Sequence, residues 1–396
     1  MTSPTASAST PASASISASA SDAASGTAPA PASDAASGTA SASVPADGAG
    51  SRAASALAAA TAAGPALGSD PLPEGLIDVV VIGGGAAGLN GALMLARSRR
   101  SVVVIDSGDP RNAPADGIHG LLGNEGTPPA EFLARGREEV RHYGGVIISG
   151  AVTEARPAGR SADGDLRFTV DLVDGRRLAA RRVLVATGLR DELPAVPGLA
   201  EHWGHGVVHC PYCHGWEVRD QAIGVIATRP ASFHQVLLFR QLSDDIIVFV
   251  ADGVEVDQAS RERCAALGVR IVETGLEEVV GDGAGGISGV RLVGGEVVPR
   301  SVLVVATVMG PRLDGVDGLG LATEEVPGGM GEKISSGMAG ATEVPGVWVA
   351  GNATDPGAQV GAAAAGGALA GAHINGMLVV ADADRPVAAA REHAAA

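Results

Sequence analysis

An α/β fold with two parallel-sheet units is predicted for this chain on two observations. From Leu76 onward, short apolar runs suited to buried strands alternate with helix-like segments. The Pro- and Gly-punctuated stretch Leu193–Gly198 interrupts that alternation, which starts again at Ile223. In the first unit, Leu76–Ile82 is an apolar run fit for a buried parallel strand, Ala86–Arg99 is helix-like, and Ser101–Ile105 is a second apolar strand. A helix is expected over Pro129–Tyr143, then strands near Val146–Glu154, Arg167–Leu172 and Arg182–Ala186. Leu193–Gly198 is read as the crossing between domains. The second unit is expected to run to about Val305, with strands at Ile223–Ile226 and Ile246–Val250 and helices at Ser232–Gln241 and Val256–Leu267. A last strand, Val347–Ala350, leads into the Ala/Gly-rich stretch Ala358–Leu378, expected to be a closely packed helix. The chain is expected to fray from Ala381.

Residues 1 to about 70 are almost wholly Ala, Ser, Thr, Pro, Gly and Asp, and the octapeptide that starts at Ser21 recurs at Ser33. Such a stretch has few large apolar side chains to offset the entropy of ordering it, so it is expected to be disordered, with folding starting near Leu72. It has no basic segment ahead of an apolar run, so it is not read as a secretory signal. The apolar runs elsewhere are short and interrupted by Gly, Arg or Asp, and no transmembrane helix is expected. The chain has 28 Lys and Arg against 44 Asp and Glu, a formal charge of −16. With no basic cluster, nucleic acid and anionic membranes are poor partners. Three cysteines are too few for a disulfide scaffold, and two of them form one Cys-x-x-Cys, which points to redox chemistry. The cytoplasm is the expected location.

The strongest single motif is Gly83-Gly84-Gly85-Ala86-Ala87-Gly88, lying between a buried strand and a helix. There a Gly-x-Gly-x-x-Gly fingerprint has a mechanical meaning. Gly83 allows the tight turn, Gly85 lets a pyrophosphate approach the backbone, and Gly88 lets helix and strand pack closely, while the helix N-terminus faces the phosphate. Asp106 ends the second strand, where an acid is needed to hold a ribose hydroxyl. Dinucleotide binding is the reading that results; a Gly-rich turn with no ligand is the alternative. Two further segments, Val183–Gly188 ending in Ala-Thr187-Gly188 and Gly346–Asn352 ending in Ala-Gly351-Asn352, resemble landmarks of two-dinucleotide-fold flavoproteins. The resemblance implies FAD. Asn352 stands where those proteins carry Asp; its amide can still hydrogen-bond a ribityl hydroxyl or a phosphate oxygen, and Asp355 is a nearby substitute.

The second motif is His209-Cys210-Pro211-Tyr212-Cys213-His214-Gly215-Trp216-Glu217. Two cysteines three apart at the head of a helix can close a small disulfide, and the helix N-terminus favours a thiolate. One thiolate can donate an electron pair to a flavin while the other sulfur meets substrate, and the His214 imidazole can move the proton that thiol exchange requires. A zinc site using His209 or His214 is the competing reading, but no second Cys pair exists. Cys264 is expected to be a buried small apolar residue. Trp203, His202 and His205 are candidates to line the site, with surface or packing roles as the alternative.

In this order, Gly-x-Gly-x-x-Gly, Ala-Thr-Gly, Cys-Pro-Tyr-Cys-His-Gly and a late Ala-Gly, the motifs resemble the low-molecular-weight thioredoxin reductases, class II pyridine nucleotide-disulfide oxidoreductases, over residues 75–380. The resemblance implies two three-layer dinucleotide-binding (Rossmann-like) domains, the second inserted into the first. The divisions are 73–193 and 312–380 for the FAD domain and 194–311 for the inserted domain, flanked by a tail over 1–72 and a frayed end over 381–396. It also implies a homodimer, with Cys213 against the flavin, Cys210 toward the substrate, and His214 where the family has an acidic Asp.

One departure sets the direction of electron flow. The reductases bind NADPH on a Gly-rich turn of the inserted domain, with an Arg-rich stretch after its second strand. Here the turn reads Ile226-Ala227-Thr228-Arg229-Pro230-Ala231, without glycine, and Asp252 and Glu255 follow the next strand. Arg229 alone could contact a phosphate. The chain accordingly resembles the FAD-dependent dithiol oxidases that close disulfides in natural products such as gliotoxin and holomycin, which share a Cys-Pro-aromatic-Cys-His pattern. That resemblance implies oxidation of a substrate dithiol with oxygen as acceptor. An NAD(P)H-dependent thioredoxin or disulfide reductase is the alternative, and a non-catalytic flavin/thiol redox sensor a remote one. The substrate can be a small dithiol, a peptide dithiol or a thioredoxin-like protein.

Overall fold

The computed structural model describes residues 69–162 and 164–395. The expected tail over 1–72 lies outside them except for its last four residues. These are tied down: the Asp70 carboxylate accepts from the Ile147 N–H (2.8 Å) and pairs with Arg141, and Leu72 packs on the core. The packed fold therefore includes residues slightly ahead of Leu72.

The first segment holds β1 (Leu76–Ile82), α1 (Ala86–Arg97), β2 (Val102–Asp106), α2 (Pro129–His142), β3 (Val146–Ser149), β4 (Val152–Arg160), β5 (Leu166–Leu172), β6 (Arg177–Val185) and β7 (Leu189–Glu192). The middle segment holds β8 (Val207–Val208), α3 (Pro211–His214), β9 (Ile223–Ala227), α4 (Ser232–Arg240), β10 (Ile246–Val250), α5 (Gln258–Ala266), β11 (Arg270–Val272), β12 (Leu276–Gly281), β13 (Ile287–Leu292), β14 (Val297–Pro299) and β15 (Val302–Val305). The last segment holds β16 (Val308–Pro311), β17 (Thr323–Val326), β18 (Gly331–Ile334), β19 (Val347–Val349) and α6 (Val360–Ala395).

The first sheet runs β3-β2-β1-β6-β5-β4, with β19 also paired to β6. Strands β3, β2, β1, β6 and β19 are parallel, and β4–β5–β6 form an antiparallel meander. Alternate residues of a strand face opposite sides, so Val79, Val81, Val102, Val104 and Leu184 meet the helical layer, while Val80, Ile82, Val103, Ile105 and Val183 meet Phe168 and Val170 of the meander. The small residues of α6 serve the helical layer. A Cβ on Gly367 would overlap the Ala87 carbonyl, and one on Gly371 would lie 2.6 Å from that of Gly91, so only glycine lets α6 lie this close to α1.

The second sheet, β11-β10-β9-β15-β8, is wholly parallel. Phe233, Val236 and Phe239 of α4 cover one face, and the β12–β14 meander packs against the other. The sheet lies in sequence between β7 and β16, which pair antiparallel from Val308↔Glu192 to Pro311↔Leu189. Two three-layer α/β domains result, the second inserted into the first.

The meanders were not expected, nor was the split of Val146–Glu154 into β3 and β4 at Gly150, whose φ of +157° breaks the strand. The expected fraying from Ala381 is corrected, because α6 continues to Ala395. Its extension is anchored by Asp382, which takes Arg181 Nη2 at 2.6 Å and Arg100 Nη1 at 2.5 Å. Over Val360–Val387, α6 is also long and apolar enough to cross a membrane by length and composition, against the expectation that no stretch qualifies; its Ala/Gly content sets that composition, and one face is packed on α1.

Arg181 also holds Asp78 of β1 (2.7 Å) and Asp165 ahead of β5 (2.6 Å), and Arg182 holds the other oxygen of Asp165 (2.9 Å). Burial pushes the Asp165 carboxyl up, but the hydrogen bonds and charges of Arg181 and Arg182 outweigh it and take it down to about 2. A lowered carboxyl stabilises the fold fully above its unfolded value near ~3.9, and that contribution, about 2 kcal/mol, is lost as pH falls toward about 2. Urea titrations of wild type are therefore expected to weaken between about pH 4 and 2. Asp165→Asn should be about 3 kcal/mol less stable at neutral pH, with a flatter acid response.

Candidate active site

A cavity of about 710 Å³ is bordered by both domains. From the first come Gly83, Gly84, Gly85, Ala86, Ala87, Asp106, Thr187, Gly188, Gly351 and Asn352; from the inserted one come His209, Cys210, Cys213 and His214. Of the six residues of the Gly83–Gly88 turn, Gly88 alone stays off the cavity wall, and its role is the packing one, since a Cβ there would overlap the Gly83 carbonyl. Gly83 has φ +109°, and a Cβ would strike the Ala186 carbonyl, so the turn out of β1 demands glycine.

Three features fit a phosphate-bearing dinucleotide here. Gly85 is the N-cap of α1 and offers no side-chain cap, leaving first-turn N–H groups facing the cavity. A Cβ on Gly85 would meet nothing within 4 Å, so there is room for a ligand against the backbone. The Thr187 Oγ1 is buried without a hydrogen-bond partner.

Asp106 is more committed than its position at the end of β2 implies. Its Oδ2 takes Arg137 Nη2 of α2 at 3.0 Å, and its Oδ1 accepts from Gly108 N–H at 3.0 Å. The buried carboxylate keeps lone pairs for a hydroxyl, but it also ties α2 to the sheet. Asn352 borders the cavity, and its Nδ2 donates to the carbonyls of Asp355 (3.1 Å), Pro356 (3.3 Å) and Ala358 (2.8 Å). The amide thus closes the turn that launches α6, leaving Oδ1 for a ligand. An Asp at 352 would present acceptors to these acceptors. Asp355 is exposed and does not border the cavity.

Cys210 and Cys213 form a disulfide with Cα atoms 5.3 Å apart. The expected helix behind them is one turn, α3, whose Cys213 and His214 N–H groups both donate to the Cys210 carbonyl. Such a short helix brings little dipole, so thiolate stabilisation must come from elsewhere. His209 is pinned by Nδ1 to the Val305 carbonyl (3.0 Å), while the His214 Nε2 is buried without a partner. Burial pushes both imidazoles below their ordinary value, with the Glu217 charge opposing this at His214. Both are neutral at pH 7, and so able to accept a proton. Among the described residues no group of three or more His, Cys, Asp and Glu is placed to hold a metal.

Sequence reading missed two clusters on the same wall. His119 pairs through Nδ1 with Glu125 (2.6 Å), and its Nε2 lies 3.7 Å from Glu217, just past the thiols. Arg111 grips Asp191 of β7 with two hydrogen bonds (2.6 and 2.7 Å), and Thr307 Oγ1 donates to the same carboxylate at 2.7 Å. Burial raises the Asp191 carboxyl, but Arg111 prevails and holds it below its ordinary value. The one available signal was the long connection between β2 and α2 that carries Arg111 and His119, since long loops in compact domains are usually functional.

A family model for pyridine nucleotide-disulphide oxidoreductases matches residues 77–368. The chain belongs to that family. A crystal structure of HlmI is 44% identical, with a TM-score of 0.75, and the match covers 81% of this chain and 98% of that one. The thioredoxin reductase sirT of Leptosphaeria maculans is 29% identical over 321 residues, 78% of this chain and 96% of that protein. A probable thioredoxin reductase of Arthroderma benhamiae is 36% identical over 179 residues, 45% of this chain, so the match spans under half (44%) of that protein's length.

The turn between β9 and α4 carries no glycine, and its Arg229 side chain is committed within the protein. Arg229 was a candidate phosphate contact; instead it donates to the carbonyls of Thr307 and Gly329, both at 3.0 Å, and burial lowers its pKa. Asp252 and Glu255 are exposed beyond β10. Trp203 borders the cavity, whereas His202 is buried with Nδ1 on the Gly285 carbonyl, His205 is exposed, and Cys264 is buried in α5. Asn352→Asp is expected to lower stability by about 1–3 kcal/mol and to exceed Asn352→Ala, because the carboxylate adds repulsion to the lost donor. Thermal melts of the two variants would expose a contrary order.

Proposed function

We propose that this chain is an FAD-dependent dithiol oxidase that closes a disulfide in its substrate. The observation that carries the reading is that the Cys210–Cys213 disulfide borders the same cavity as the first dinucleotide turn, while the β9–α4 turn lacks glycine and its Arg229 is hydrogen-bonded to the Thr307 and Gly329 carbonyls. A route from thiol to flavin is supported, and a docking place for NAD(P)H is not.

In this reading a substrate thiol loses its proton to neutral His214 and attacks Cys210, opening the Cys210–Cys213 bond and releasing Cys213 as a thiolate. The second substrate thiolate then displaces Cys210. The substrate leaves as a disulfide, two electrons and two protons poorer, and the pair is reduced. FAD, held by the Gly83–Gly88 turn with Asp106, Thr187, Gly188 and Gly351, would supply a two-electron acceptor for that pair and return the electrons to oxygen as hydrogen peroxide. Tyr212 and Trp216, both exposed beside the thiols, suit an organic or peptide dithiol better than a highly charged one. A homodimer is part of the same proposal, by likeness to the thioredoxin reductases.

Anaerobic titration of the purified yellow protein tests the direction. A simple dithiol should bleach the flavin absorbance, with recovery and peroxide once air is admitted; NADPH and NADH should leave it unchanged. Rapid bleaching by either nucleotide would restore the reductase that the relatives' names suggest, and the Cys213→Ser variant should not bleach with dithiol. Because His214 works as the neutral base and its pKa lies below the ordinary imidazole value, dithiol-driven bleaching should hold through neutrality and fall only below about pH 6.5. Loss of that acid limb in His214→Gln, with a rate lower by about 10²–10⁴, is the expected signature. An unchanged profile would remove His214 from the proton path, pointing to His119 or Glu217.

A further inference from the structure

Strand β9 is where the order of the second sheet reverses: β10 and β11 lie on one side, β15 and β8 on the other. In a doubly wound sheet that switch point, at the turn into the next helix, is where a dinucleotide pyrophosphate rests. Here the turn carries Arg229, whose Nη1 donates to the Gly329 carbonyl and Nη2 to that of Thr307, both at 3.0 Å. Gly329 lies between β17 and β18, in the first domain. At its neighbour Gly328 a Cβ would sit 3.8 Å from the Ala231 Cβ, so the hairpin and the β9–α4 turn are in contact.

The other end of the inserted domain is gripped as well. A Cβ on Gly204 would come within 2.9 Å of Pro114, and His119 faces Glu217 at 3.7 Å. Thr307, one end of the Arg229 bridge, also donates to Asp191, which Arg111 holds in the cavity wall. The contacts form one path from the β9–α4 turn to the cavity that the disulfide borders.

We propose that Arg229 is a positioning residue, a latch that fastens the thiol-bearing domain to the β17–β18 hairpin and so holds Cys210–Cys213 in the flavin cavity throughout turnover. The proposal rests on the oxidase reading for its purpose: an enzyme that takes electrons from its substrate thiols has no need to open the second nucleotide turn.

Arg229→Met and Arg229→Lys test it in the full-length holoprotein. In Arg229→Met, hydrogen–deuterium exchange should quicken at least tenfold across residues 306–331 and 228–232 and stay unchanged in β1, β2 and α1. Two anaerobic rates should separate. Reduction of the Cys210–Cys213 disulfide by dithiol, read by alkylation and mass, should match wild type, while flavin bleaching slows at least tenfold. Arg229→Lys reaches one carbonyl at a time and should fall between, carrying the test if the Met variant does not fold. A residue of merely structural importance would lower both rates together or neither. Wild-type exchange and wild-type bleaching in both variants would overturn the latch. If dithiol fails to bleach even wild type, the oxidase reading falls, and the exchange data alone decide whether Arg229 fastens the domains.

Discussion

Strands β7 and β16 run antiparallel where the chain leaves the first domain and where it returns, and the geometry of the site hangs on that pairing. Val308 faces Glu192 and Pro311 faces Leu189, so the inserted domain is held by two adjacent strands that cannot swivel independently. Asp191 sits in this pair. Its carboxylate gathers Arg111 from the β2–α2 connection and Thr307 from the approach to β16. A charge-assisted, two-pronged Arg–carboxylate bond is directional as well as strong, so it orients the crossing and fixes the cavity wall beside His209. The thiols and the first dinucleotide turn border one cavity, and Asp191 of this junction is part of its wall.

What the cavity does electrostatically follows from burial more than from charge. The one-turn helix behind Cys210 is too short to lend a useful dipole, and the imidazoles that flank the pair are desolvated. Desolvation disfavours cations. It keeps His209 and His214 neutral, the state that takes protons from thiols rather than the state that stabilises thiolates. An acidic Asp at position 214 would suit a site that must protonate a leaving thiolate of its substrate. A neutral imidazole suits one that must deprotonate an incoming thiol. The residue beside the disulfide and the glycine-free β9–α4 turn thus favour the same direction of electron flow.

How much of this was legible depended on whether the partners lay nearby in sequence. The Gly83–Gly88 turn, Asp106 and the Cys210–Cys213 pair are local patterns whose chemistry needs no distant residue to be recognised, and the cavity brings them together. The buried strands of both sheets were equally plain, because a strand covered on both faces is an apolar run. Strand β7 was not: Leu-Arg-Asp-Glu has no strand-forming character and is extended because β16 pairs with it. The meander β12–β14 was hidden by charged residues on its exposed face, such as Glu278 and Arg291, which pair with each other across strands. His119 was marked only by the length of its loop, since Glu217 reaches it from another domain. The second task of Asn352 was hidden for a related reason: the partners of its Nδ2 are the carbonyls of a turn whose shape no pattern announces.

The second dinucleotide turn shows how one local change can carry two consequences. Losing glycine from Thr228–Ala231 removes the bare backbone that a pyrophosphate must touch, and by itself this would leave an exposed, unsatisfied loop at a switch point. The half-buried guanidinium of Arg229, carried on that turn, needs acceptors. The acceptors within reach are carbonyls on the approach to β16 and on the β17–β18 hairpin. One of them, Gly329, belongs to the first domain, so on the latch reading the residue that replaces glycine in that turn also ties the two domains together.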